Sequence, residues 1–359
     1  MIVGALLAAC GSASTPDRAV AGAARRVGIP LDSYWGVAWL RDDEIVVDRF
    51  TPPVGGEARI NVTWSVTPDG SKFRKVVLPG VVDGCSRIEY RAPQRLLDGD
   101  LATLLTCQIP RNALKYYTWI VRIVDGGSSS KVLVPGAPIE PVVWESGIAA
   151  PDDVLLEYAM SRDGKLGIGG STANCGTLVR LTPDGTVPLD ITIGEGERSW
   201  NLKEQENADP TKDGCTRFGT ASFPSSDPTF SKVAFWAEPD AVNRKVFERD
   251  DVRADLMTID PVTLKLEKLL GGVSDIGPLK WSPTGRWIAF IGDPVRRGFG
   301  LWLFEVATKR LVLVRSDHAT PALDWSPKGD ALVLIEEGDR GDDDAIDHRT
   351  MWVVPILQP

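Results

Sequence analysis

The chain reads as short apolar runs separated by tight polar turns. Leu279-Lys280-Trp281 leads into Ser282-Pro283-Thr284-Gly285 and then into the nearly continuous apolar run Trp287-Ile288-Ala289-Phe290-Ile291. The same order returns 44 residues later as Leu323-Asp324-Trp325, Ser326-Pro327-Lys328-Gly329 and Ala331-Leu332-Val333-Leu334-Ile335. Proline presets its own φ and glycine accepts positive φ, so each Ser-Pro-x-Gly turn predicts a hairpin. A run that is apolar at every position predicts a strand covered on both faces, as in stacked sheets. Trp281, Ser282, Pro283 and Gly285, with their counterparts Trp325, Ser326, Pro327 and Gly329, form the repeat motif.

Weaker copies precede these two. Tyr158 to Ile168 keeps the turn and loses the Trp, whereas Val37 to Val47 keeps Trp39 and loses the Pro-Gly pair. Pro224 to Phe235 matches by position and by its closing apolar run, and Ile88 to Ala102 is the faintest copy. Hairpins are therefore expected near Trp39, Tyr90, Met160, Ser225, Trp281 and Trp325. Further strand pairs follow most of them: Leu301–Val306 with Leu311–Val314, Leu256–Asp260 with Leu266–Leu270, and Thr177–Leu181 with Thr186–Leu189. They supply third and fourth strands. No helical period runs through the chain. The expected fold is all-β, a six-bladed β-propeller of four-stranded antiparallel blades, because a repeat of this length cannot cover its own apolar faces and must be covered by its neighbours. A β-sandwich with unrelated turns is the competing architecture. The last strand, Met351 to Leu357, is the third of its blade, so a fourth is expected from the N-terminal side around Arg25 to Pro30.

The motifs Trp281 to Phe290 and Trp325 to Leu334, and more weakly Ser161 to Ile168, resemble the TolB-like repeats of bacterial six-bladed propellers, which are related to the WD-repeat propellers. The resemblance covers the C-terminal quarter well and the first half only through hairpin spacing. It implies a central channel and a binding role. Propellers of this kind serve both as interaction scaffolds and as accessory domains of peptidases, so the fold does not name the activity.

An apolar fraction of 43% in 359 residues suffices for a large core, and a net charge of −9 argues against a nucleic-acid role, which needs a basic surface. At the N-terminus, Leu7-Ala8-Ala9-Cys10 follows an apolar run and precedes Gly11-Ser12-Ala13-Ser14. It resembles the lipobox of bacterial lipoproteins, which implies diacylglycerol on Cys10 and an exported, lipid-anchored protein. No Lys or Arg precedes that run, so the natural start is expected upstream. No apolar span is long enough for a transmembrane helix. Residues 1–10 are read as the signal remnant, 11–30 as a flexible tether and 31–359 as a single propeller domain.

Cys85, Cys107, Cys175 and Cys215 remain, an even number in a chain read as exported, and two disulfides are expected. Spacing alone leaves three pairings open. Blade geometry favours Cys85–Cys107, at the ends of paired strands, and Cys175–Cys215, on one rim of adjacent blades. A four-thiolate zinc site lacks any Cys-x-x-Cys.

The chain has only two histidines, His318 and His348, both in loop contexts, and no Gly-x-Ser-x-Gly elbow accompanies them. Catalytic residues, metal ligands and cofactors are not expected. The acidic loop Glu336 to Asp347, with Asp342, Asp343 and Asp344, offers carboxylate oxygens to Ca²⁺ but departs from EF-hand spacing. Four charged loops share one rim in the blade reading, bringing Trp200, Arg244, Arg249, Arg296, Arg297 and those three aspartates to a candidate binding face. The function expected is non-catalytic binding or scaffolding at the cell envelope, with a protein or envelope ligand on that rim and the chain itself monomeric. The alternative is a lactonase-like or lyase-like propeller enzyme using carboxylates or Ca²⁺ at the channel.

Overall fold

A computed structural model describes residues 21–29, 33–51, 60–76, 87–96, 100–109, 112–124, 129–134, 156–161, 166–171, 177–182, 185–194, 200–203, 220–238, 253–294, 296–316, 320–337 and 349–357. Among them the structure is all-β. Strand β1 (Arg25–Arg26) is followed by a sheet of β2 (Ser33–Arg41), β3 (Glu44–Thr51), β4 (Ile60–Val66) and β5 (Phe73–Lys75). A second sheet holds β6 (Arg87–Arg95), β7 (Leu101–Ile109), β8 (Asn112–Val124) and β9 (Ser129–Val134). A third holds β10 (Leu156–Met160), β11 (Gly167–Ser171), β12 (Thr177–Thr182) and β13 (Gly185–Pro188). A short hairpin of β14 (Thr192–Ile193) and β15 (Trp200–Asn201) comes next.

The largest sheet has eight strands: β16 (Thr220–Ser226), β17 (Val233–Glu238), β18 (Ala254–Ile259), β19 (Leu266–Ser274), β20 (Leu279–Trp281), β21 (Trp287–Pro294), β22 (Gly300–Glu305) and β23 (Arg310–Ser316). The last sheet contains β24 (Ala322–Trp325), β25 (Ala331–Glu337) and β26 (Arg349–Pro355), with β1 as its fourth strand. Every strand pairing is antiparallel.

The repeated turns behave as their sequence predicts. Gly285 and Gly329 sit at φ +75° and +72°, and each donates its N–H to the carbonyl of the serine that opens the turn, at 2.9 Å in both copies. The serine hydroxyls close the hairpins: Ser282 Oγ accepts Trp287 N–H and Ser326 Oγ accepts Ala331 N–H, both at 3.0 Å. All six expected hairpins are present, as β2–β3, β6–β7, β10–β11, β16–β17, β20–β21 and β24–β25.

Strand alternation explains why the runs are apolar throughout. On β21, Trp287, Ala289 and Ile291 pack against Leu323, Trp325, Leu332 and Leu334 of the following sheet. The intervening Ile288 and Phe290 pack the other way, against Trp236 and Leu256 of β17 and β18. The same face-to-face packing joins β6–β9 to β10–β13 through Leu104, Tyr158 and Leu181, and β10–β13 to β16–β19 through Ile168, Leu178 and Phe235. It closes on itself where Val333, Ile335, Met351 and Val353 meet Tyr34, Val37, Ile45 and Val47 of the first sheet. At that seam the buried Arg349 donates from Nη1 to the Tyr34 carbonyl at 2.8 Å and from Nη2 to Glu337 at 3.2 Å. The sheets form a closed circle.

The N-terminal strand belongs to that circle. Arg25 pairs with Val353 and Arg26 with Trp352, Gly22 N–H donates to Pro355 O at 2.8 Å, and Val27 N–H donates to Met351 O at 2.8 Å. Val27 and Ile29 are buried in the seam core. Residues 21–29 are therefore not part of the flexible tether expected for 11–30, and the folded domain begins before residue 31. The free edge of β26 recruits them, since an unpaired edge strand has open backbone groups to satisfy.

A second difference concerns β19. Its far end pairs with β21 through Val273–Pro294 and Ser274–Asp293, merging two expected four-stranded units into one sheet. Register breaks around Leu256 and the positive φ of Gly272 bend the end of β19 across to its new partner.

Candidate functional site

The innermost strand of each sheet has one free edge, and these edges face one another. Five positions share one register on successive first strands: Gln94, Ala159, Ser225, Lys280 and Asp324 lie opposite Ala102, Ile168, Ala234, Ala289 and Val333 of the second strands. All five line a single pocket of about 310 Å³.

Side chains on this ring satisfy the backbone of the neighbouring first strand. Ser225 Oγ accepts Trp281 N–H at 2.9 Å, and Asp324 Oδ2 accepts Trp39 N–H at 2.8 Å. Trp325 Nε1 donates to Lys280 O at 3.0 Å, and Gln94 Nε2 donates to Tyr158 O. These bonds replace the ladder bonds that free edges lack. Between them they tie down all six first strands around one space.

Two of the strands are strained as they reach it. Ala92 and Phe223 hold φ of +48° and +56°, each followed by a proline and then by a pocket residue, Gln94 or Ser225. Register shifts mark both places, between Arg91 and Gln94 and between Ser222 and Ser225. Non-glycine residues enter this region at a cost, and bulges re-aim the side chain that follows. Tyr158 secures the first bulge by donating its hydroxyl to Ala92 O at 3.3 Å. Burial, and secondarily the charge of Asp48, push the Tyr158 hydroxyl well above its ordinary range, so it remains a donor.

The pocket holds three charged side chains, Arg95, Lys280 and Asp324. Burial pushes the Asp324 carboxyl up, against the opposing pull of Lys280, Arg95 and the Trp39 and Trp325 N–H groups. Asp324 still exposes part of its surface, because it lines the cavity. Neither Arg95 nor Lys280 forms a side-chain hydrogen bond or ion pair with another described residue.

A carboxyl raised in this way favours the folded state when protonated, and that contribution fades as pH climbs through the raised value. Asparagine keeps an acceptor for Trp39 N–H without the buried charge. Asp324→Asn should therefore gain stability over the wild type as pH rises above the ordinary carboxyl value of 3.8, with the gain vanishing below it. Urea unfolding across pH 3–8 measures this, and a pH-independent difference would contradict the burial of the charge.

The pocket lies at the end of the circle closed by the turns at Pro228, Pro283 and Pro327, which line it. Arg296 and Arg297, expected on the binding rim, are exposed and follow the opposite end of β21, about 25 Å of strand away. Trp200 corrects the rim expectation: it is buried in a core with Ile193, Leu202 and Ala221, because the β14–β15 hairpin folds inward on that cluster. Arg244, Arg249, Asp342, Asp343 and Asp344 lie outside the described residues, as do Cys10, Cys85, Cys175, Cys215, His318 and His348. Cys107 lies on β7 opposite Ile88.

The pocket charges were not among the residues expected from sequence. A signal for them exists: the two strongest repeats differ at one position between Leu and Trp, Lys280 in one and Asp324 in the other. The shared x-Pro step at Ala92-Pro93 and Phe223-Pro224 is a second.

No family profile and no curated protein matches the sequence. Solved structures do match by fold. The α-L-arabinofuranosidase of Fusarium graminearum, solved with an iminosugar inhibitor, is similar with a TM-score of 0.54 at 11% identity, over 93% of this chain and 98% of that one. The fold is a β-propeller. A TolB of Agrobacterium tumefaciens is similar with a TM-score of 0.46 at 15% identity, over 77% of this chain and 78% of that one. TolB of Acinetobacter baumannii gives 0.45 at 12% identity, over 82% of this chain and 59% of that one. At these identities the likeness concerns the propeller architecture alone.

Proposed function

We propose that the chain is a six-bladed propeller that binds a small ligand at the mouth of its channel without transforming it, and that it does so at the cell envelope. Counting the eight-stranded sheet as two blades gives six four-stranded units, with β1 completing the last. The lipobox-like Leu7-Ala8-Ala9-Cys10 supports export and lipid attachment at Cys10, and residues 11–20 then serve as the tether. Cys85–Cys107 and Cys175–Cys215 are the disulfides this location favours. Arg296 and Arg297, at the opposite end, remain open to a protein or envelope partner.

The observation that carries the binding reading is the pocket itself. Five first strands, drawn from four sheets, deliver residues to a single space, two of them through strained bulges. Convergence of a few polar groups on one concave pocket is the ordinary signature of a ligand site.

The test is to incubate the purified protein with a soluble metabolite extract of the envelope compartment and identify what stays bound by mass spectrometry. A compound that raises the melting temperature and is recovered with unchanged mass is the expected result. A compound recovered with altered mass would move the chain to the enzyme reading. No bound compound would remove the pocket from consideration as a site.

A further inference from the structure

Within that binding reading, on which this inference rests, we infer that the pocket selects a small hydroxylated anion, gripped by Arg95 and Lys280. The two cations stand on first strands of different sheets and line the same cavity. Several other cations find carboxylates: Arg286 reaches Glu305 at 2.7 Å, Arg315 reaches Glu336 at 3.1 Å and Lys232 reaches Glu267 at 2.6 Å. Arg95 and Lys280 make no such bond with a described residue, and Asp324 spends one oxygen on Trp39 N–H.

Two partly buried positive charges beside a single carboxyl leave the cavity positive. A carboxylate or phosphate meets both through charge-assisted hydrogen bonds. Hydroxyl and amide groups share the rest of the wall with apolar residues such as Leu96, Ala159 and Trp281. Gln94, Ser225, Ser226 and Asp324 line the space, which suits ligand hydroxyls. At about 310 Å³ the cavity is at the lower edge of ordinary ligand pockets, so the ligand is a single small unit.

Isothermal titration with gluconate, glucose 6-phosphate and glucose tests the inference and separates the two anion sources. Binding of gluconate or glucose 6-phosphate, with glucose at least about tenfold weaker, is the expected result. Arg95→Gln and Lys280→Gln should each weaken that anion about tenfold while leaving the melting temperature of the free protein within a few degrees, and added salt should weaken wild-type binding. The inference is overturned if neither anion binds, if glucose binds as well as the anions, or if both variants bind like the wild type. Should the anions fail while an extract compound still binds and stabilises the protein, only the ligand class is lost. Should both fail, the binding reading falls with it.

Discussion

A protein that starts at residue 31 unfolds at a markedly lower denaturant concentration than one that starts at residue 21. The two differ only in the segment that closes the circle. Without it, β26 loses the pairings of Arg25 and Arg26 and the bonds from Gly22 and Val27. Val27 and Ile29, at 1% and 8% exposure, leave the seam core. Burying an aliphatic side chain of this size contributes about 1.5–3 kcal/mol. The two together therefore account for about 3–6 kcal/mol, before the cost of exposing Val353 and Met351. Domains of this kind are stable by only about 5–15 kcal/mol, so the shorter protein should be partly unfolded at body temperature or visibly prone to aggregate. Urea midpoints of the two proteins measure the difference. Equal midpoints would mean that the seam between β26 and β2 closes without β1.

The hairpins were legible because their signal is local. Ser282, Pro283 and Gly285 specify one turn through their own φ preferences and one hydroxyl, and Ser326, Pro327 and Gly329 do it again. Closure by residues near Arg25 was legible from counting, since a last unit with three strands leaves one edge open. The pocket was not legible, because its residues come one or two per strand and meet only when the circle closes. Lys280 and Asp324 look like lone polar interruptions of apolar runs. Long charged loops such as the one with Arg296 and Arg297 look more like a site, yet the pocket opens at the other end. Trp200 misled for a related reason: a tryptophan among Glu and Asn reads as exposed, but a two-residue pairing of Ile193 with Trp200 suffices to turn the ring inward.

Replacing Trp325 tests whether packing between sheets or the belt around the pocket matters more. Its ring is 1% exposed and stands between Trp287, Leu303 and Leu332, while Nε1 donates to Lys280 O at 3.0 Å. Trp325→Ala opens a cavity between two sheets, and a change of that size in a core costs about 3–5 kcal/mol. It also leaves the Lys280 carbonyl without its partner, which adds about 1–3 kcal/mol if water does not reach it. Trp325→Phe keeps most of the packing and removes only the donor. The expected order of urea midpoints is wild type, then Phe, then Ala, with the larger step between Phe and Ala. If Phe falls as far as Ala, the bond to Lys280 outweighs the packing, and the strand carrying Lys280 depends on its neighbour for its position. If neither variant falls, face-to-face burial between these two sheets does not hold the circle together, and the packing argument that links the apolar repeats to the fold is wrong.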